Sequence, residues 1–364
     1  MNRILVGYIV DFNSSGIDKY LINVIKTAYE NGIHLDFLTS VYNDSLEQYL
    51  KPYDYNVYTI SSLKKPLAQY KETKQILQYG NYDAAYFNIS EPLNFIGAKA
   101  AHDVGVRVML HSHNSNVNSS SLLKRTIRII INRICKLFIY KYCDCFFACS
   151  RTAGEWMYPK KIVESGKFKV IFNSVDASKF VFEEEIRNSV RENLGISNDT
   201  LVLGHVGRCD YAKNNTFLID IAKELSKMHV NFKMLLLGDG PDLEMVKQKA
   251  KNLSVDKYIE FLGIRKDVNR IMQAFDVFLL PSRIEGFPIV AVEAQFIGVP
   301  CIFSDAITSE VVLTDNSLRL PIDNAKAWSD EILKRKNFTK ISADINEKFS
   351  SIYQKNQILN EILL

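Results

Sequence analysis

Short apolar runs bounded by turn residues recur along the chain and alternate with stretches of helical period, the pattern of parallel strands joined by helices. In the first half the predicted strands are RILVGYIV, HLDFLTS, YDAAYFNI, VRVMLHSH, CDCFFACS and KFKVIFNSV; in the second they are LVLGHVGR, FKMLLLGDG, YIEFLGI, AFDVFLLPS and PCIFSD. Helices are predicted over 17–31, 213–228, 241–252 and 288–297. Charge rises and strand signals lapse over 177–198, "ASKFVFEEEIRNSVRENLGISN", which marks the join of two α/β halves. The expected division is a domain over 1–177, a linker over 178–197, a second domain over 198–340 and a helical segment over 341–364 that packs back toward the first domain. No repeat of 20 to 50 residues and no low-complexity tract interrupts this pattern.

Composition narrows the class. A chain of 364 residues is long enough for two cores, and 47% hydrophobic with 24% charged residues describes a globular protein. No run reaches the roughly 18 apolar residues of a spanning helix, and MNRILVGYIV leads into a strand without a signal-peptide cleavage site, so a cytoplasmic location is expected. The six cysteines form no disulfide framework; Cys145, Phe147 and Cys149 alternate as a buried strand would, with a metal site the lesser alternative because no histidine is near. A net charge of +4 is too small and too scattered to predict nucleic-acid binding.

In a parallel α/β sheet ligands bind at the carboxyl ends of strands, so the loops after the strands hold the candidate chemistry. "HVGRCDYAKNN" offers Gly207 for close approach, with Arg208 and Lys213 as two cations for an anion. "LLLGDGPD" brings Gly238 and Gly240, for which ordinary turn chemistry is the stronger reading. "PSRIEGFPIVAVEAQ" follows a strand; Pro288 suits the first helical position, and the N–H groups of Ile289, Val290 and Ala291 would form an anion site. Gly286 lets the chain come close, while Glu285 lies just before the helix and Glu293 inside it. A carboxylate beside a phosphate would repel it, so these two suit hydroxyl groups on either side of a diphosphate. The alternative is that Glu285 complements the helix dipole and Glu293 pairs with a cation.

In the first half, "DFNSSGIDKYLINV" places Gly16 before a helix, as a phosphate or acceptor loop or as a plain turn, and "VMLHSHNSN" ends a strand with His111 and His113. Residues 119–143 carry six basic residues and no acidic one. On a helical wheel Leu123, Ile127, Ile130, Ile134 and Leu137 share one face, with Lys124, Arg125, Arg128, Arg133 and Lys136 on the other. Such a helix can lie on an anionic membrane, with Arg125, Arg128 and Arg133 near head groups, or pack its apolar face on the core and leave its basic face in water.

"EGFPIVAVE" resembles the paired-glutamate signature of glycosyltransferase family 4, the retaining enzymes of GT-B fold. "GRCDYAKN", "GDGP", "EFLGIRKDV", "ACSRTAGEWM" and "VIFNSVD" resemble further segments of that family in the same order, and "HSHN" is similar to its bacterial polysaccharide members. The resemblance spans nearly the whole chain. It implies two Rossmann-like doubly wound domains facing across a cleft, the N-terminal one for the acceptor and the C-terminal one for a nucleotide sugar.

It further implies that Arg208 and Lys213 bind the donor diphosphate with the backbone of Gly207, Gly286, Phe287, Pro288 and Ile289. Glu285 would hold the transferred sugar, Glu293 the ribose, and Gly238 and Gly263 would lie near the nucleotide. His111 would touch the sugar, with His113 the second candidate, and Gly16 would belong to the acceptor or phosphate loop. Two positions depart from the family pattern: Ser15-Gly16 stands for Gly-Gly, and Asn173-Ser174 for Asn-Gly.

No D-x-D motif is present, so Arg208, Lys213 and the helix start are expected to stabilise the leaving diphosphate without a metal or other cofactor. The implied activity is retaining transfer from a nucleotide diphosphate sugar, UDP-linked rather than GDP-linked, to a carbohydrate or lipid-linked oligosaccharide acceptor. The enzyme would work in the cytoplasm at the inner face of the plasma membrane. A nucleotide-sugar 2-epimerase of the same architecture and a non-catalytic sugar-nucleotide-binding protein are the competing expectations.

Overall fold

The computed structural model describes residues 3–9, 16–41, 44–336, 345 and 347–364. The chain divides into two units: one spans 1–117, 121–174 and 348–364, the other 118–120 and 175–347. The first holds seven strands, β1 (Arg3–Ile9), β2 (His34–Thr39), β3 (Val57–Thr59), β4 (Ala84–Ile89), β5 (Arg107–Ser112), β6 (Cys145–Ala148) and β7 (Phe168–Val170), in the order β3-β2-β1-β4-β5-β6-β7. The second holds β8 (Leu201–Val206), β9 (Phe232–Leu237), β10 (Ile259–Gly263), β11 (Val277–Leu280), β12 (Cys301–Ser304) and β13 (Leu318–Leu320), in the order β10-β9-β8-β11-β12-β13. All pairings in both sheets are parallel. Each unit therefore repeats the doubly wound order, with its reversal between β1 and β4 in one and between β8 and β11 in the other.

The strand runs are apolar at consecutive positions because both faces of each sheet are covered. Ile4 and Val6 enter one core with Phe37, Tyr86 and Met109, while Leu5 enters another with Leu38, Phe87 and Leu110. The second unit does the same, with Leu203 and Met234 on one side and Val202 and Leu235 on the other. The sequence pattern misses β3 and β13. Both are three-residue edge strands, half-buried and without a sustained apolar run.

Helices α1 (Gly16–Glu30), α2 (Leu122–Lys136), α3 (Arg151–Met157), α4 (Glu184–Asn193), α5 (Asn215–Lys227), α6 (Ile289–Phe296) and α7 (Ser351–Ile358) carry the remaining argument. The segment 178–197, expected as a linker, contains α4 and belongs to the second unit. Arg187 donates to Asp276 Oδ1 at 2.5 Å, and the buried Arg191 reaches Asp276 Oδ2 at 3.3 Å and the Ser197 and Thr200 carbonyls at 2.7 and 2.6 Å. Asp276 Oδ2 also accepts from the Val202 N–H at 2.7 Å, so the charge that resembled a linker is a buried anchor.

The C-terminal residues join the first unit: Ile358, Ile362 and Leu363 are in the core beside α1. Ser174, where the family pattern has glycine, donates to Gln354 of α7 at 2.8 Å, and Asn23 of α1 donates to the same Gln354 oxygen at 2.7 Å. The hydroxyl thus takes part in fastening the C-terminal helix.

Candidate functional site

The β8 and β11 loops leave neighbouring strands at the reversal of strand order, where a doubly wound sheet opens a crevice. They are joined by hydrogen bonds. Asn214, in a left-handed conformation just before α5, donates to the Pro281 carbonyl at 3.1 Å. Arg283 donates from its backbone to the Ala212 carbonyl at 2.7 Å and from its side chain to the Tyr211 carbonyl at 3.0 Å.

Lys213 Nζ contacts Glu285 Oε1 at 2.6 Å, and the Ser282 hydroxyl donates to that same oxygen at 2.7 Å. The two residues expected to serve diphosphate and sugar separately are therefore an ion pair. A lysine ammonium has three donors, so Lys213 can keep Glu285 and still offer protons to an anion.

Every residue from Pro281 to Ile289 is buried except the half-buried Arg283, and Glu293 is buried inside α6, whose other polar residue is Gln295. Pro288 caps α6 instead of occupying its first helical position, because its ψ of 109° is extended. The Ala291 N–H, expected to be free, donates to the Pro288 carbonyl at 3.1 Å, which leaves Ile289 and Val290 as the open donors of the first turn. Arg208 is exposed, 4.0 Å from Asp210. A Cβ at Gly238, where φ is +125°, would lie 2.1 Å from the Gly207 carbonyl oxygen, so this glycine is required by loop-on-loop packing. At Gly263, φ is +65° and a Cβ would meet nothing, so its backbone borders open space.

His205 is a site residue that the motif reading passed over. It lies two positions before Gly207 on the same face of β8, a spacing that the period of a strand makes visible. Its Nδ1 is 2.8 Å from the Leu279 carbonyl, which fixes Nδ1 as the protonated nitrogen, and Nε2 has no partner among the described residues. Burial, with Lys213 nearby, lowers its pKa to about 4 and keeps the ring neutral.

In the first unit His111 and His113 stack, centroids 4.1 Å apart. His111 is fully buried, its Nδ1 2.5 Å from the Tyr86 hydroxyl, which meets the Tyr20 hydroxyl at 2.7 Å. His113 Nε2 contacts Asn88 Oδ1 at 2.8 Å, and its Nδ1 has no partner among the described residues. Burial lowers both: His113 falls to about 3, and His111 well below the ordinary imidazole range with its neighbour adding to the shift. Gly16 begins α1, while 11–15 of its loop lie outside the described residues.

Of the two packings open to helix α2, the structure takes the one that leaves the apolar face outward. Leu123, Ile127, Ile130, Ile134 and Leu137 are 48 to 71% exposed, so the apolar face does not enter the core. Part of the polar face turns inward. Buried Asn132 donates to Glu91 Oε2 at 2.8 Å and accepts from the Leu93 N–H at 2.9 Å; Arg128 pairs with the same Glu91, and Lys136 donates to the Glu155 carbonyl. Arg128 thus ties the helix to Glu91 while its side chain stays partly solvated, whereas Arg133 is exposed. Among the described residues no helix is long and apolar enough to cross a membrane.

Comparison with known proteins agrees with this fold. Residues 14–179 match the model described as Glycosyltransferase Family 4, and residues 186–348 the model for Glycosyl transferases group 1. A protein of Bacillus subtilis (strain 168) named as a glycosyltransferase, EpsF, is 28% identical over 333 residues, 88% of this chain and 85% of that one. An Escherichia coli UDP-Gal:alpha-D-GlcNAc-diphosphoundecaprenol alpha-1,3-galactosyltransferase is 28% identical over 293 residues, 79% of this chain and 72% of that one. The crystal structure of Anabaena HepE in complex with UDP and glucose superposes with a TM-score of 0.77 over the full length of both chains at 18% identity, a likeness of fold.

Proposed function

The chain belongs to the family 4 glycosyltransferases of GT-B fold, and from that premise we propose that it moves a sugar, with retention of configuration, from a UDP-sugar to a lipid-linked carbohydrate in cell-surface polysaccharide synthesis. The observation that carries this reading is the Lys213–Glu285 pair, 2.6 Å apart at the reversal of strand order, next to the start of α6. As the sugar–phosphate bond breaks, negative charge grows on the leaving diphosphate. Lys213, Arg208 and the Ile289 and Val290 N–H groups are the preorganised donors that would meet it.

Glu285, paired with Lys213, accepts hydrogen bonds from sugar hydroxyls; Glu293 does so for the ribose. The attacking hydroxyl gives its proton to the departing diphosphate oxygen on the same face, so no protein nucleophile takes part. These cations and N–H groups do what a divalent ion would otherwise do, and the reaction is metal-independent. In the first unit, His113 is favoured over His111 as the sugar contact. Asn88 holds its Nε2–H, which leaves Nδ1 as a neutral acceptor for a hydroxyl; His111 also keeps a spare nitrogen, Nε2, but is fully enclosed, whereas His113 is 9% exposed.

The name of the Escherichia coli relative specifies UDP-galactose and a diphosphoundecaprenol acceptor, which supports a UDP donor and a lipid-linked acceptor here. The outward apolar stripe of α2 supports work at a membrane surface. Its residues cover roughly 80° of the circumference at about 100° per residue, with Lys124 and Arg133 flanking it on either side, the layout of a helix lying in an anionic interface.

Incubation with sugar-labelled nucleotide donors tests the activity. Free UDP and label on a lipid-linked acceptor are expected; label that stays on the nucleotide in an altered sugar would identify an epimerase instead.

A further inference from the structure

A recess of about 230 Å³ runs along one flank of α2, between that helix and α3, lined by Asn116, Asn132, Arg133, Lys136, Glu155 and Trp156 among others. That volume far exceeds the roughly 10–15 Å³ one water needs. Arg133 has no ion-pair partner among the described residues, and Lys136 spends one of its three protons on the Glu155 carbonyl. The Glu155 carboxylate faces Arg151 at 3.2 Å, so its repulsion of an incoming anion is offset. The Trp156 ring is held in place by its N–H on the Ser90 carbonyl at 3.0 Å. Partial burial lowers the Lys136 pKa, as expected for an ammonium short of countercharge.

Position on the helix then selects the source of the anion. Arg133 lies about 40° from the edge of the apolar stripe and also lines the recess, so the recess borders the face that would enter the bilayer. We propose that this recess binds the phosphate or diphosphate group of the membrane lipid that carries the acceptor sugar, with Arg133 and Lys136 on its oxygens and the Asn116 amide on the adjoining group. This rests on the reading of a lipid-linked acceptor and adds a place for the lipid's charged end. Two cations at one recess beside an exposed apolar stripe would hold one lipid type in preference to others of equal charge, because a phosphate held by paired donors gains more than one met by a diffuse surface charge.

The test uses the whole protein and farnesyl diphosphate below its micelle concentration, read by tryptophan emission. The chain has two tryptophans, and the other, Trp328, is fully buried in the second unit. A saturable emission change is expected in the wild type, with at least tenfold weaker binding in Arg133→Gln/Lys136→Gln and at least tenfold weaker binding of inorganic diphosphate. No emission change, or equal affinity in the double variant, would overturn the site. Equal affinity for inorganic diphosphate would overturn its assignment to a lipid. Failure of the wild type to sediment with anionic vesicles would instead sink the membrane reading, which this titration does not depend on.

Discussion

The α6 loop and α2 break the ordinary rule of burial in opposite senses. Around α6 the carboxylates of Glu285 and Glu293 are buried amid apolar side chains, while on α2 five large aliphatic side chains face outward and Asn132, with Arg128 beside it, turns to the buried Glu91. Most deviations of either kind cost stability, so where they concentrate they mark surfaces shaped for something other than the folded chain alone. At α6 the charge has an internal partner in Lys213, which keeps it affordable until a ligand arrives. On α2 the apolar face has no internal partner, and a bilayer would supply one.

The largest effect should come from the buried charge. Glu285→Ala leaves Lys213 without its partner and removes the acceptor for the sugar; a loss of about 10²- to 10³-fold in transfer rate is expected, with the fold retained by circular dichroism. Unchanged turnover would remove Glu285 from the mechanism and reduce the pair to a structural ion bridge.

On α2 the corresponding change is Leu123→Asp with Ile127→Asp. Each buried aliphatic is worth about 1.5–3 kcal/mol, and a half-inserted pair about that much together, so vesicle partitioning should fall by roughly 10- to 100-fold. Because both side chains are already exposed, the unfolding midpoint should not fall. A large loss of stability would mean that the stripe is covered in solution, by a second copy for example.

The buried histidines sharpen the contrast through pH. His113 and His205 titrate at about 3 and about 4 in the fold, against about 6.5 unfolded, so the unfolded chain binds more protons between those values. Stability is complete above pH 6.5 and is lost as the pH falls toward 4. At pH 5 the cost is about 2 kcal/mol for each ring, measurable as a lower unfolding midpoint than at pH 7.5, and His205→Gln should flatten that dependence. A midpoint independent of pH would show that the rings are charged or solvated.

The smallest expected effect separates two arginines of one helix. Arg128→Gln should lower stability by about 1 kcal/mol, discounted because the guanidinium is partly solvated, whereas Arg133→Gln should stay within about 0.5 kcal/mol. Equal effects would contradict the inward orientation of the polar face.

How far the chain could be read from its residues follows the same physics. Strands buried on both faces announce themselves as continuous apolar runs, which is why the interior strands of both sheets were legible and the edge strands Val57–Thr59 and Leu318–Leu320 were not. The loops holding Arg208, Lys213 and Glu285 were legible through their motifs, but the Lys213–Glu285 contact joins residues 72 positions apart and depends on β8 and β11 being neighbours.

The wheel of α2 separated its two faces correctly without telling which one turned inward. That was decided by Glu91, 41 positions from Asn132, whose buried carboxylate needs the amide and the guanidinium. Charge density around 184–193 pointed to a linker because Arg187 and Arg191 look solvated until Asp276 is placed beside them.

The most direct measurement is the configuration of the product. With an α-linked UDP-sugar, a lipid-linked acceptor and EDTA in the reaction, proton NMR of the new linkage should show an α-anomer formed at the same rate as without the chelator. A β-linked product, or a rate abolished by EDTA and restored by a divalent ion, would contradict same-face transfer stabilised by Lys213, Arg208 and the start of α6.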